Sequence, residues 1–245
     1  MRLYVYGITT SEASVPPGLC GVGTPPAPVR LVSAGATAAV VGEAPALVRA
    51  RRRDVMAHQD VLAEIGRSAP VLPACFGMIA EDEQALRATL QRDTEANLAA
   101  LERVTGRTEM NLKIAVAEGG LPDLVRESPR IRGLRAQTGC EAEYTARIRL
   151  GEAVAEGLRQ RAEAVAQEAS RRLAALAEET AAGPEAEGYV ANISFLIDTD
   201  QVEAAREAVA KLAVEARNRA LLRLTGPLPC YSFCSRPAAR TAAAV

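Results

Sequence analysis

The side chains that could do chemistry are few: one histidine, five cysteines and eight aromatic rings among 245 residues. A nucleophilic mechanism needs a hydroxyl or thiol with a base beside it, and His58 is the sole imidazole able to serve as that base. His58 falls on the apolar line of a helical segment with Val55, Leu62 and Ile65, a position where histidine more often packs or caps than catalyses. No Ser, Cys and His constellation can be assembled around it, so no catalytic residue is assigned. Cys230 and Cys234 lack the spacing of a metal knuckle and have no second cysteine pair, so they read as small apolar groups and no metal is expected. Cys20, Cys75, Cys140, Cys230 and Cys234 are odd in number and scattered, which argues for reduced thiols over a disulfide framework. Gly18, Gly21 and Gly23 imitate a phosphate loop, but no strand leads into them and Pro25 and Pro26 follow where a helix should open. No cofactor is expected.

Lys and Arg number 29 against 30 Asp and Glu, without a long basic run, so there is no electrostatic footprint for nucleic acid. No apolar run is long enough to span a membrane, and the first residues lack a secretory signal pattern, so the expectation is a cytoplasmic, soluble chain. Binding surface then remains as the source of function. Phe76-Gly77 and Pro227 with Tyr231-Ser232-Phe233 place rings beside Gly and Pro turns, a composition favoured at rigid interfaces. Phe76, Gly77, Pro227, Tyr231 and Phe233 are therefore the partner-binding candidates. Core packing is the alternative, for Phe76 above all, and Tyr231 and Phe233 could seal the tail onto the second domain.

The elements that must position these residues follow from hydrophobic period. Residues 3–6 and 37–41 read as strands, separated by a Pro- and Gly-rich loop over 15–28. A helix over 51–66 leads to Val71-Leu72 and then residues 76–79, an apolar edge or hairpin around Pro73. A second helix is predicted over 82–104 with Leu86, Leu90, Leu98 and Leu101 inward, stopped by Gly106. The first α+β domain is placed at 1–106 and a second at 107–245. The second opens on a strand over 109–116, with Met110, Leu112, Ile114 and Val116 on one face. An Ala, Glu and Arg-rich stretch over 141–182 predicts a long helix whose apolar line steps close to an eleven-residue repeat, suiting a straight hairpin or slightly right-handed pairing. Strand 189–197, a helix through 216 and strand 220–224 complete an α+β, ferredoxin-like pattern with a long helical, coiled-coil-like insertion.

Three islands agree in order and combination: Tyr4, Tyr6 and Gly7; His58, Val61, Leu62, Leu72, Pro73, Phe76 and Gly77; and Gly226, Pro227, Pro229, Tyr231, Ser232 and Phe233. Together they resemble the gas vesicle protein L and F family, accessory proteins of the gas-filled protein shells that give microbes buoyancy. Cys75, Met78 and Leu228 stand where arginine, threonine and tryptophan are usual. The resemblance implies two α+β domains, one with a long helical projection, and a non-enzymatic minor structural protein associated with the gas vesicle. Its implied partners are the small hydrophobic shell subunit, met during nucleation and assembly, and other gas vesicle accessory proteins. Two rival readings stand beside it: a general interaction scaffold or ligand-responsive module, and a cofactor-free enzyme, which requires a deep polar pocket joining His58 and Cys75.

Overall fold

The computed structural model describes residues 1–138 and 144–234. Cys140 and the opening residues 141–143 of the expected long helix lie outside them. The chain divides into two compact units, Met1–Glu109 with the described residues from Pro227 onward, and Met110–Gly226. The sequence reading set one boundary after residue 106 and left the tail with the second domain. In the structure the last described residues group with the first unit, for reasons given by their hydrogen bonds below.

The first unit is built on an antiparallel sheet of β1 (Leu3–Thr10), β2 (Arg30–Ala34), β3 (Thr37–Glu43), β4 (Val71–Pro73) and β5 (Ile79–Ala80). The spatial order is β2-β3-β1-β4, and β5 also pairs with β1. Both faces are covered, so the central strands β1 and β3 are apolar almost throughout. Leu3 and Val5 join Val32, Ala39 and Val41 on one face, where Leu86 and Leu90 pack. Tyr4 and Tyr6 point to the other, against Val61, Leu62 and Ile65. The pairing of β1 with β3 shifts between Val5 and Gly7. This bulge advances the alternation by one residue, so Ile8 returns to the face of Leu3 and Val5. A Cβ at Gly7 would stand 2.6 Å from the Leu72 carbonyl oxygen, which explains glycine where β4 closes on the bulge.

Helix α1 (Arg52–Gly66) buries His58, Val61, Leu62 and Ile65 as its period demands, and also Asp54, which pairs with Arg53 at 2.9 Å. The helix predicted over 82–104 is two: α2 (Glu83–Arg92), capped by the Asp82 carboxylate accepting from Ala85 N–H at 2.8 Å, and α3 (Thr94–Val104). Asp93 leaves helical geometry between them, and the Thr94 hydroxyl donates back to the Leu90 carbonyl at 2.8 Å. The break redirects the chain, so Leu101 and Val104 are buried while Leu98, expected inside, is 37% exposed.

The second unit orders β6 (Arg107–Val116), β7 (Ala177–Ala182), β8 (Tyr189–Asp198) and β9 (Ala220–Leu228) as β7-β8-β6-β9. With one helical crossover between β6 and β7 and α7 (Val202–Ala216) between β8 and β9, this is the ferredoxin-like βαββαβ order expected. The crossover contains α4 (Leu121–Glu127), α5 (Pro129–Ala136) and the long helix α6 (Tyr144–Ala174). The second half of α6 lays Ala162, Val165, Ala169 and Leu173 on Met110, Leu112 and Ile114 of β6 and on the apolar side of α7. Its first half packs Ala153 and Leu150 against Leu124 and Ile131 of α4 and α5. The long helix thus pairs with two short helices and a sheet rather than with a second long one.

The predicted helix over 141–182 overran its end. Residues 177–182 form an edge strand registered Ala177 with Ile197, Thr180 with Phe195 and Ala182 with Ile193. Ala and Glu favour helix locally, but the unpaired edge of β8 offers a ladder of backbone hydrogen bonds, and that pairing overrides a preference of only a few tenths of a kcal/mol per residue.

Candidate functional site

The aromatic residues of the chain's start converge on the imidazole. The rings of Tyr4, Tyr6 and Phe76 lie with centroids 5.7, 5.5 and 5.8 Å from that of His58, which is 1% exposed. His58 Nε2 is 3.2 Å from the Ala74 carbonyl oxygen, an acceptor only, so this nitrogen carries the proton and donates. Nδ1 is therefore the acceptor, and the Tyr4 hydroxyl donates to it at 3.0 Å. The same hydroxyl accepts from Gly77 N–H at 3.0 Å, closing a path from the helix through the strand to the corner. Burial holds the His58 pKa below its ordinary value, with the Ala74 hydrogen bond opposing, so the ring is neutral. Tyr6 makes a parallel clasp, accepting from Val22 N–H at 2.8 Å, and burial pushes its phenol up to about 12.

These contacts fix residues 74–78 as a rigid corner standing off the edge of β1. Ala74 N–H donates to Tyr6 O at 2.8 Å and Val5 N–H to Met78 O at 2.9 Å, pinning both ends. Gly77 takes a φ of +89°, a left-handed conformation that disfavours any side chain there. Phe76 is half-buried against Tyr4 and His58, while Cys75, Met78 and Ile79 are exposed. His58 is enclosed by rings and its two hydrogen bonds, and the thiol of Cys75 is at the surface. The arrangement required for a base and a nucleophile sharing a polar pocket is not what the corner presents.

The tail returns to this unit. Ser232 donates from both its N–H and its hydroxyl to the two carboxylate oxygens of buried Glu109, each at 2.8 Å. Arg103 donates to the Phe233 carbonyl, and Thr108 to that of Leu228 at 3.0 Å. Phe233 is 3% exposed, so its ring anchors the tail, whereas Tyr231 is 36% exposed and Pro227 is exposed. Burial pushes the Tyr231 phenol up to about 12, and Tyr4, Cys234, Cys75 and Glu109 add to the shift through space. The two aromatic islands, far apart in sequence, thus belong to the same compact unit. Burial likewise raises Cys230 and Cys234 to about 12, so both thiols are protonated.

Sequence reasoning found the rings but missed their seat. Glu109 falls in the strand predicted over 109–116 and Arg103 in the helix predicted over 82–104, and nothing local ties either to Ser232 or Phe233, more than a hundred residues later. Among the described residues no group of three or more His, Cys, Asp or Glu is placed to hold a metal ion, and no helix is long and apolar enough to cross a membrane. Met78 and Ile79 are exposed on a corner whose backbone is hydrogen-bonded from beneath, and Tyr231 is 36% exposed on the tail.

The chain is similar over nearly its whole length to proteins of one kind. It is 40% identical to "Gas vesicle protein F" of Streptomyces sp. (strain CB03234) over 95% of this chain and 99% of that one. It is 28% identical to "Gas vesicle protein L" of the same organism, over 94% and 91%. The crystal structure of the gas vesicle protein GvpF from Anabaena sp. PCC7120 superposes with a TM-score of 0.79 at 22% identity, covering 96% of this chain and 98% of that chain. That of GvpF from Microcystis aeruginosa gives 0.73 at 20% identity, over 96% and 99%. The family profile described as "Gas vesicle synthesis protein GvpL/GvpF" matches residues 2–235, and the chain belongs to that family.

Proposed function

We propose that this protein is a non-enzymatic accessory and minor structural protein of the gas vesicle, which binds the small hydrophobic shell subunit during nucleation and assembly. The family membership carries the reading, and the greater identity to protein F than to protein L, 40% against 28%, favours an F-type role. A shell subunit with a gas-facing apolar surface must be kept from aggregating in water before insertion, and an adapter that covers this surface transiently meets that need. Phe76, Gly77, Pro227, Tyr231 and Phe233 supply the contact region, with Phe76 and Phe233 supporting it from within and Met78, Ile79 and Tyr231 facing outward. The protein works in the cytoplasm, in association with the growing vesicle, and other gas vesicle accessory proteins are further partners.

The test is complementation. Cells carrying the gas vesicle genes but lacking this chain should form few or no vesicles and regain them with the wild-type chain. A Met78→Asp, Tyr231→Ala variant that folds normally should restore far fewer. Full restoration by that variant would remove this surface from the function, and normal vesicles without the chain would remove the function itself.

A further inference from the structure

A second surface lies on the second unit and does not depend on the reading above. Helices α4, α5 and α6 enclose an open groove of about 890 Å³. Its walls are half-buried Val125, Leu150 and Val154 with Ile131 beneath, and the exposed Leu121 extends them at one end. Gly151 faces it from the N-terminal part of α6, and a Cβ there would meet nothing within 4 Å. Helical glycine costs stability, about 1 kcal/mol relative to alanine, so bare backbone lining an apolar groove marks a place where another chain can approach closely.

Charge selects the occupant. Arg135 and Arg147 stand at the groove, both exposed, and among the described residues neither is engaged in an ion pair. Arg130, Arg132 and Arg149 of the same helices also lack an ion pair among the described residues, but the lining of the groove itself holds Arg135 and Arg147 and no carboxylate. We propose that this groove is a docking site for an amphipathic helix of a partner protein, with an apolar face for the groove and acidic side chains for Arg135 and Arg147. From Arg147 to Val154 the groove follows about two turns of α6, roughly 10 Å at the usual helical rise, which matches the span of i, i+3, i+4 and i+7 anchors on a docked helix.

The probe is a fluorescent, blocked peptide of about 18 residues with leucine at those anchor positions and glutamate on both flanks, compared with the same peptide carrying lysine in place of glutamate. Anisotropy titration against the full chain should show saturable binding of the glutamate peptide that weakens with salt, and at least roughly tenfold weaker binding of the lysine peptide. Gly151→Leu, which fills the groove, and the double variant Arg135→Glu, Arg147→Glu should each reduce affinity by at least about tenfold. Gly151→Leu places a better helix former on an exposed helix position, so its melting temperature should not fall, and lost binding cannot be blamed on unfolding. Absence of saturable binding, equal binding of the two peptides, or full binding by Gly151→Leu would each overturn the proposal. Self-association of the free chain that Gly151→Leu abolishes would overturn it too, assigning the groove to a second copy.

Discussion

Replacing Tyr4 with Phe removes a single oxygen, and the hydrogen bonding of the corner fixes what that should cost. The hydroxyl serves two groups, accepting from Gly77 N–H and donating to His58 Nδ1, both at 3.0 Å. Leaving a buried polar group without its partner costs about 1–3 kcal/mol, and the Gly77 amide, being only partly buried, falls at the low end. The expected loss is about 2–4 kcal/mol, a large fraction of an ordinary domain's stability. Tyr6→Phe is the internal control. Its ring is equally buried, but its hydroxyl serves one group, Val22 N–H at 2.8 Å, so it should cost about 1–2 kcal/mol. Urea unfolding of the full-length variants at unchanged m gives the difference. Hydrogen exchange gives the location, with the Gly77 amide losing protection in Tyr4→Phe and the Val22 amide in Tyr6→Phe. If Tyr4→Phe costs no more than Tyr6→Phe, or if Gly77 exchange is unchanged, the hydroxyl does not hold the corner and the reasoning fails.

Two tail variants should part company: Phe233→Ala, losing a core ring, should destabilise by about 3–5 kcal/mol. Tyr231→Ala should cost much less in a thermal melt yet weaken capture of the shell subunit. Glu109→Gln weakens two hydrogen bonds to Ser232 and should destabilise by about 1–2 kcal/mol, read by urea unfolding, with faster exchange of the Ser232 amide. His58 is the protein's sole histidine and its folded pKa is lowered, so the unfolded chain binds the imidazole proton more tightly than the folded one. Its contribution is complete above the unfolded value of 6.5 and is lost as pH falls from there toward the lower folded pKa. Stability measured from pH 7.5 to 5.5 should decline more steeply in the wild type than in His58→Gln, and parallel curves would refute this.

Much of this architecture was legible because single elements carry strong periods. β6, β8 and α7 followed from alternation or from an apolar stripe, and their order implied the ferredoxin-like topology. The strands that were missed are defined by the strand that follows them. β7 is Ala-Glu-Glu-Thr-Ala-Ala, a helical composition made strand by the free edge of β8. β2 is five residues beside a proline-rich loop, and its hairpin register with β3 gives it definition. Helices α4 and α5 were left unassigned, although Pro122, Pro129 and Ser128, whose hydroxyl accepts from Ile131 N–H at 3.3 Å, are local capping cues. At the candidate site the rings and turn residues stood out by type. The partition of Phe233 inward and Tyr231 outward did not, because it rests on Glu109 and Arg103, which no local pattern connects to the tail.

The central claim is that this chain captures the hydrophobic shell subunit, and stoichiometric co-purification tests it most directly. The full-length chain and the shell subunit of its own gas vesicle cluster would be co-expressed, affinity-purified through the former and resolved by size exclusion. The account predicts a soluble complex in which the two co-elute at constant ratio, and from which Met78→Asp, Tyr231→Ala releases the subunit. A shell subunit that aggregates as it does alone, with none retained on the wild-type chain, would contradict it.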